Sequence, residues 1–470
     1  MTRFTRIPTV ITLYLVALLC QSCRQDFNAD NYTAYFGGEV TNPLSRYVLL
    51  YKGNNLIDSM VLDKNNRFFT KLDSLPPGMY TFRHDPEYQY VYFDKNDSLM
   101  VSIDTRNFDE SIVFSGRGEQ KNNFLMEVYL GDETDRESLF EAFDYNLADF
   151  TRTLDELHQK NLRQYRAKKE SIQWSDDFDM FARAAITYPY YSRKEIFPVL
   201  HKLRTGVDLS SQLPADYYSF RDSIDFNNPR LSNYSPFVKY LVHMLNNIAV
   251  KTAADRGQDM DLALKANTIK LEIADTLFKN EKVKNTIVNN IAYTYFMEDQ
   301  NMVNHDKFME TYRRVSTDNS QRNDIVRLTN SIRGLTPGHQ LPAVTLVDPQ
   351  GLKITTDKLI NRKALIVFWN SKAMAHIESA GQKIANISRE YPGYQIVCVN
   401  LDDDQEKWIT NLKRIPPMPG VTHMRSHDFE DLKTKWALTK IHRTIVLNPD
   451  TTIRNAFTNL FNNDFESNLN

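Results

Sequence analysis

The spacing of apolar residues along the chain falls into three regimes. From about Asn31 to Gly118, short strand-like runs alternate with turn clusters, which predicts a small all-β module. Its strands are expected at Tyr47–Tyr51, Phe68–Leu72, Met79–Phe82, Tyr88–Phe93 and Leu99–Ile103. Asp63-Lys64-Asn65-Asn66-Arg67 reads as a turn, because Asn and Asp tolerate the left-handed backbone that tight turns need. Ser115-Gly116-Arg117-Gly118 should close the module.

Between about Glu119 and Arg333 only Gly131, Gly206 and Gly257 occur, and apolar residues recur at helical spacing. Phe140, Phe143, Leu147, Phe150, Leu154 and Leu157 are spaced as one helix face, and so are Leu262, Ala266, Ile269, Ile273 and Leu277. The prolines at 189, 198, 214, 229 and 236 are expected to break the region into several helices, without the fixed period of a solenoid. The aromatic stripes are read as core, since such spacing is what burying one helix face demands.

The third regime begins near residue 334. Ala364–Trp369 is an unbroken apolar run, as expected for a strand buried on both faces, and Gln395–Asp402 repeats the pattern as its expected neighbour. A helix is predicted between them, from about Met374 to Arg389, and another from Asp404 to Leu412. The fold class expected is multidomain α+β: a β-sandwich-like module over residues 23–118, a helical region over 119–333, and an α/β domain over 334–470.

Composition narrows the function. The net charge of −2 over 470 residues argues against nucleic acid as a partner. Arg163-Gln164-Tyr165-Arg166-Ala167-Lys168-Lys169-Glu170 reads as a solvated helix face. No Gly-rich phosphate loop, His-Glu-x-x-His helix or Gly-x-Ser-x-Gly elbow occurs, and no cofactor is expected. Three cysteines are present, at positions 20, 23 and 398. Arg3 and Arg6 followed by the apolar run Val10–Leu19 read as a signal peptide over residues 1–22, too short for a comfortable membrane span. Leu18-Leu19-Cys20-Gln21-Ser22-Cys23 resembles a bacterial lipobox, with Cys23 as the acylated residue. An ordinary cleaved signal peptide with free cysteines is the alternative.

Pro337-Gly338-His339-Gln340-Leu341-Pro342-Ala343-Val344-Thr345-Leu346, the turn Asp348-Pro349-Gln350-Gly351 and Lys353–Leu359 resemble the entry of the TlpA and ResA branch of membrane-tethered thioredoxin-like proteins. Phe368-Trp369-Asn370-Ser371-Lys372-Ala373-Met374-Ala375-His376 resembles that branch's active-site corner. Ile441–Asp450 resembles its "iPttflID" loop and strand, which in the family brings a cis-proline beside the dithiol. On this resemblance residues 334–470 form a thioredoxin-like domain in which Ala373 and His376 replace both catalytic cysteines and His442 replaces the proline. Gly381 stands where the family often has a helix proline. The cis peptide costs least at proline, so His442 implies a trans bond and a reshaped loop. The β module resembles the N-terminal module that precedes such domains in many Bacteroidetes lipoproteins.

The implied protein is a cell-envelope lipoprotein, anchored through Cys23 to a membrane facing the periplasm or the cell surface. It would have no working dithiol and would act as a binding or scaffold protein with an envelope protein as partner. Two alternatives stand beside it. One is a thiol-disulfide oxidoreductase-family protein with a residual or partner-dependent redox role. The other is a metal-binding protein using His376, His442, His423 and His427, completed by a carboxylate such as Asp402 or Asp428. The plainer reading has His376 as a surface or capping residue and His442 as an exposed loop residue.

Overall fold

The computed structural model describes residues 32–43, 45–84, 87–255, 262–298, 302–371, 374–402, 404–415, 417–438, 441–462 and 465–469. The signal-peptide expectation, with Arg3, Arg6, Cys20 and Cys23, lies outside the described residues. The chain is a mixed α/β protein with several sheets. It divides into two compact units: one runs to Ser223 and includes Asn233–Tyr240, and the other comprises Ile224–Ser232 and Leu241–Asn470.

The first unit opens with eight strands: β1 (Ala34–Thr41), β2 (Tyr47–Lys52), β3 (Asn55–Val61), β4 (Arg67–Leu72), β5 (Gly78–His84), β6 (Glu87–Phe93), β7 (Ser98–Asp104) and β8 (Val113–Arg117). They form two four-stranded sheets, in the orders β4-β1-β7-β8 and β3-β2-β5-β6. Alternate residues point inward, so Phe36 and Val40 of one sheet and Val48, Leu50 and Phe82 of the other share one core. The expected turn before Phe68 is present. Asn66 takes φ 59°, and the Asp63 carboxylate accepts the backbone N–H groups of Asn65 and Arg67 at 2.7 and 2.9 Å.

Three of these strands were not expected. β1 carries Gly37 and Gly38, which weaken a strand pattern. Gly38 is required by close approach: a Cβ there would lie 2.1 Å from the Val101 carbonyl oxygen. β3 is mostly exposed and so lacks a clean alternation. β8 takes in Ser115–Arg117, part of the segment read as a closing turn.

Helices α1 (Phe108–Ser111), α2 (Glu119–Ser138), α3 (Leu147–Ile172) and α4 (Asp176–Thr205) belong to the same unit. Two expectations are corrected here. The Phe140–Leu157 stripe is not one helix: a 3-10 turn at Glu141–Asp144 ends before Asn146, whose side chain caps α3 by accepting from the Asp149 N–H at 3.0 Å. All of the set except Phe140, which is exposed beneath Arg204, nevertheless share a cluster, with Phe150 stacked on Phe197 at 3.7 Å between ring centroids. Pro189 and Pro198 do not break the chain but lie inside α4. An interior proline costs about 3 kcal/mol, and burial of Phe178, Phe181, Ile186 and Phe197 along this helix offsets it.

The second unit contains α6 (Leu262–Leu277), α7 (Glu281–Glu298), α8 (Met302–Val315) and α9 (Asn319–Arg333), with α6 spanning the predicted stripe. Helix α5 (Ser235–Asp255) crosses the boundary between Tyr240 and Leu241. A seven-stranded sheet follows, built from β9 (Thr345–Val347), β10 (Lys353–Thr355), β11 (Ala364–Trp369), β12 (Gln395–Asn400), β13 (Val421–Ser426), β14 (Arg443–Leu447) and β15 (Ile453–Asn459). Its order is β10-β9-β13-β12-β11-β14-β15. β11, β12 and β13 are parallel, and β14 runs antiparallel to β11.

The short α10 (Thr356–Leu359) precedes β11, α11 (Met374–Glu390) joins β11 to β12, α12 (Gln405–Leu412) joins β12 to β13, and α13 (Phe429–Lys435) precedes β14. All six residues of β11 are buried, as a central parallel strand requires. One face packs Leu365, Val367 and Cys398 against Ile377, Ile384 and Trp408.

Candidate functional site

Chemistry in a sheet of this kind gathers where the parallel strands end. β11 and β12 finish together, with Trp369 opposite Asn400 in register and the Leu401 N–H donating to the Trp369 carbonyl at 2.9 Å. Just beyond, Ser371 and Asp402 are bound to one another. The Ser371 backbone N–H donates to both carboxylate oxygens, at 3.2 and 3.0 Å, and its hydroxyl donates to Asp402 Oδ2. Asn400 Nδ2 donates to the same oxygen at 2.9 Å, and Asn411 Nδ2, from α12, donates to Ser371 Oγ at 2.8 Å.

Arg425 closes the network from β13. Its Nη1 donates to the Asp402 carbonyl at 3.2 Å and its Nε to Gln405 Oε1 at 3.0 Å. The Ser371 hydroxyl thus donates to a carboxylate and accepts from an amide. Both bonds hold the corner in shape.

A second polar construction lies at the start of β14. Arg443 is 5% exposed, and its guanidinium donates to the carbonyls of Ala456, Trp436 and Ala437 at 2.5, 2.6 and 2.8 Å. Its carbon centre stands 4.2 Å from the Phe457 ring centroid. Burial pushes its pKa down to about 9, which leaves it charged at neutral pH. The two carbonyls from Trp436 and Ala437 directly follow α13, where a helix presents the negative end of its dipole.

The residues singled out from the sequence are only partly brought together. Ala373 lies outside the described residues. His376 sits in α11, and its side chain is likewise outside them. His442 is exposed immediately before β14. His423 is half-buried on β13, opposite Cys398 in register, and burial lowers its pKa. Its Nδ1 is buried and makes no hydrogen bond.

His427 is exposed, with Nε2 2.9 Å from Lys353 Nζ. It lies four residues beyond His423 on an extended segment, a separation of roughly 13 Å. Of the carboxylates proposed to complete a metal site, Asp402 holds Ser371, and Asp428 caps α13 by accepting the Asp431 N–H at 2.9 Å. Among the described residues no group of three or more His, Cys, Asp or Glu side chains is placed to hold a metal ion.

The Ser371–Asp402–Asn411 network and Arg443 escaped the sequence reading. Their partners are distant in the chain, Asn411 lying 40 positions beyond Ser371, and no fixed spacing advertises them.

No family model matches the chain, and no curated protein is significantly similar to it. Several solved structures resemble parts of it. The thioredoxin domain of a thiol-disulfide oxidoreductase from Bacteroides vulgatus is 18% identical over 29% of this chain and 99% of its own, with a TM-score of 0.25. A thiol:disulfide interchange protein from a Bacteroides species is 20% identical over 26% of this chain and 80% of its own, at 0.23. A thioredoxin-like protein from Bacteroides caccae is 14% identical over 56% of this chain and 87% of its own, at 0.32.

Proposed function

We propose that the C-terminal domain is a thioredoxin-like domain that has lost the dithiol, and that the chain is a lipid-anchored cell-envelope protein acting by binding or scaffolding. The observation that carries this reading is Cys398. Among the described residues it is the free cysteine, and it lies in the central strand β12 with no exposure. Burial pushes its thiol up to about 12. Disulfide exchange needs a thiolate that can reach sulfur and a second thiol to resolve the mixed disulfide. Cys398 offers neither, and positions 373 and 376 are alanine and histidine. The parallel β11-β12-β13 core, with a helix leaving the end of β11 at the motif residues, supports the family reading. The basic start, the apolar run Val10–Leu19 and Ser22-Cys23 support the anchor.

The purified mature protein should not reduce insulin above a Cys398→Ser control, and turnover above that control overturns the non-catalytic reading. Cys23→Ala should release the protein from membranes or leave its signal peptide uncleaved. Loss of anchoring in Cys20→Ala instead would move the lipid to Cys20.

A further inference from the structure

Exposed apolar side chains are unevenly distributed. Nine of the eighteen large hydrophobic residues exposed among the described residues lie between Tyr32 and Val113, in the β module. Three of them, Phe69, Met100 and Val113, stand on the outer face of the β4-β1-β7-β8 sheet. The pairings place Phe69, Gly37, Met100 and Ser115 side by side, and one row nearer the N-terminal end of β1 stand Lys71, Tyr35, Ser98 and Arg117.

Phe69 is 60% exposed, Met100 38% and Val113 57%, along a groove of about 720 Å³. Gly37 keeps the middle of the face low, with Met100 Sδ and a Phe69 ring carbon only 2.8 and 2.9 Å from where its Cβ would be. A patch of this kind on a water-facing sheet marks a contact surface.

Tether length and charge indicate the occupant. Cys23 precedes the first described residue, Tyr32, by nine residues, so an anchor there keeps the module within roughly 30 Å of the bilayer. The edge of the face nearest that tether carries Lys71, Lys95 and Arg117 against Asp73, which pairs with Lys71, and Glu119 beside Arg117, and Lys95 Nζ stands 5.1 Å from the Tyr32 ring. Farther along, Arg67 is paired with Glu39 at 3.1 Å, and the Asp63 carboxylate in the same groove accepts the backbone N–H groups of Asn65 and Arg67. Tyrosines and cations at the near edge with apolar side chains behind them match the polarity gradient of an anionic membrane interface.

We propose that this sheet face rests on the bilayer, with Phe69 and Met100 entering the headgroup region of anionic phospholipid. The proposal rests on the lipid-anchor reading above. Its test supplies the tether artificially, so that the two fail separately. The mature chain from Arg24, with an N-terminal hexahistidine, is bound to nickel-chelating lipid in vesicles of phosphatidylethanolamine and phosphatidylglycerol. An environment-sensitive fluorophore is placed through Met100→Cys, or through Tyr47→Cys on the other sheet as control, Cys398 being buried. Spin-labelled lipid should quench the probe at 100 about threefold more than at 47, and Phe69→Glu should abolish the difference. Equal, weak quenching at both positions on tethered protein overturns the proposal whatever Cys23→Ala shows in cells. So does a concentration-dependent blue shift at position 100 without vesicles, which would make the face a contact between copies.

Discussion

Arg443 donates a hydrogen bond to the carbonyl of Ala437 at 2.8 Å, and Ala437 is held in the left-handed region at φ 46°. The buried cation and the unfavourable backbone thus belong to one construction, in the segment that leads to His442. A non-glycine residue there costs about 1–2 kcal/mol, of which the entropy of glycine in the unfolded chain returns part. Ala437→Gly should therefore stabilise the protein by about 0.5–1 kcal/mol, seen as a higher urea midpoint at unchanged slope. A lower midpoint would mean that the Ala437 methyl group, buried in the fold, matters more than its backbone.

Arg443→Leu should be strongly destabilising. It removes the donor from three buried carbonyls, each costing about 1–3 kcal/mol when left unpaired, so a loss of about 3 kcal/mol or more is expected by denaturant titration. Arg443→Lys keeps the charge and loses the fork of donors, and should recover only part of the loss. Equal stability of the lysine variant and the native protein would show that charge at the end of α13 suffices.

At the strand ends, Asp402→Asn tests the carboxylate that accepts from Ser371 and Asn400. The amide retains the shape but puts an N–H₂ group where an acceptor is needed, so a loss of about 1–3 kcal/mol is expected. Ser371→Ala should cost less, because it orphans only the Asn411 amide as a donor. If Asp402→Asn leaves stability unchanged, the network is decorative and the corner is held by packing alone.

Acid should weaken the fold through His423 and His158. Burial lowers the pKa of both below the ordinary 6.5. The unfolded chain therefore binds protons that the folded one refuses. Their contribution is fully present above about pH 6.5 and is lost as pH falls from there through the lowered folded values. Urea midpoints measured from pH 7.5 to 5 should fall, and the fall should flatten in a His158→Gln, His423→Gln double variant. A profile identical to the parent's would assign the acid response to carboxylates.

Much of this fold is legible in the sequence, and the reasons are specific. β11 and β12 announce themselves because strands buried on both faces are unbroken apolar runs, and α6 because one face of it must be apolar. β1 and β3 do not, since the Gly38 backbone approach and the exposed face of β3 follow from tertiary neighbours. Pro189 and Pro198 mislead for the same reason, as packing around Phe197 overrides local propensity. Ala373, His376 and His442 stand out only through the family resemblance of the motif around them. The Ser371–Asp402 bond and the carbonyl cradle of Arg443 exist only in three dimensions.

If the proposed reading holds, adding cysteines alone should not produce an oxidoreductase. Ala373→Cys with His376→Cys would supply two thiols, the second within α11, a 17-residue helix whose N-terminus favours the thiolate. The loop before β14 still carries His442, and the adjoining Arg443 is tied to three carbonyls. Insulin reduction by the double variant is expected to be slight, and adding His442→Pro should raise it several-fold. High turnover in the double variant would overturn the reading that the loop is reshaped.

Cys398 also gives the molecule a built-in clock. Its sulfur is enclosed between Trp408, Leu365 and neighbouring side chains in the middle of the seven-stranded sheet, so a thiol reagent can reach it only when that sheet parts. The rate at which the native protein consumes such a reagent at this one position therefore reports how often the central strands separate, including openings too rare to register in a melting curve.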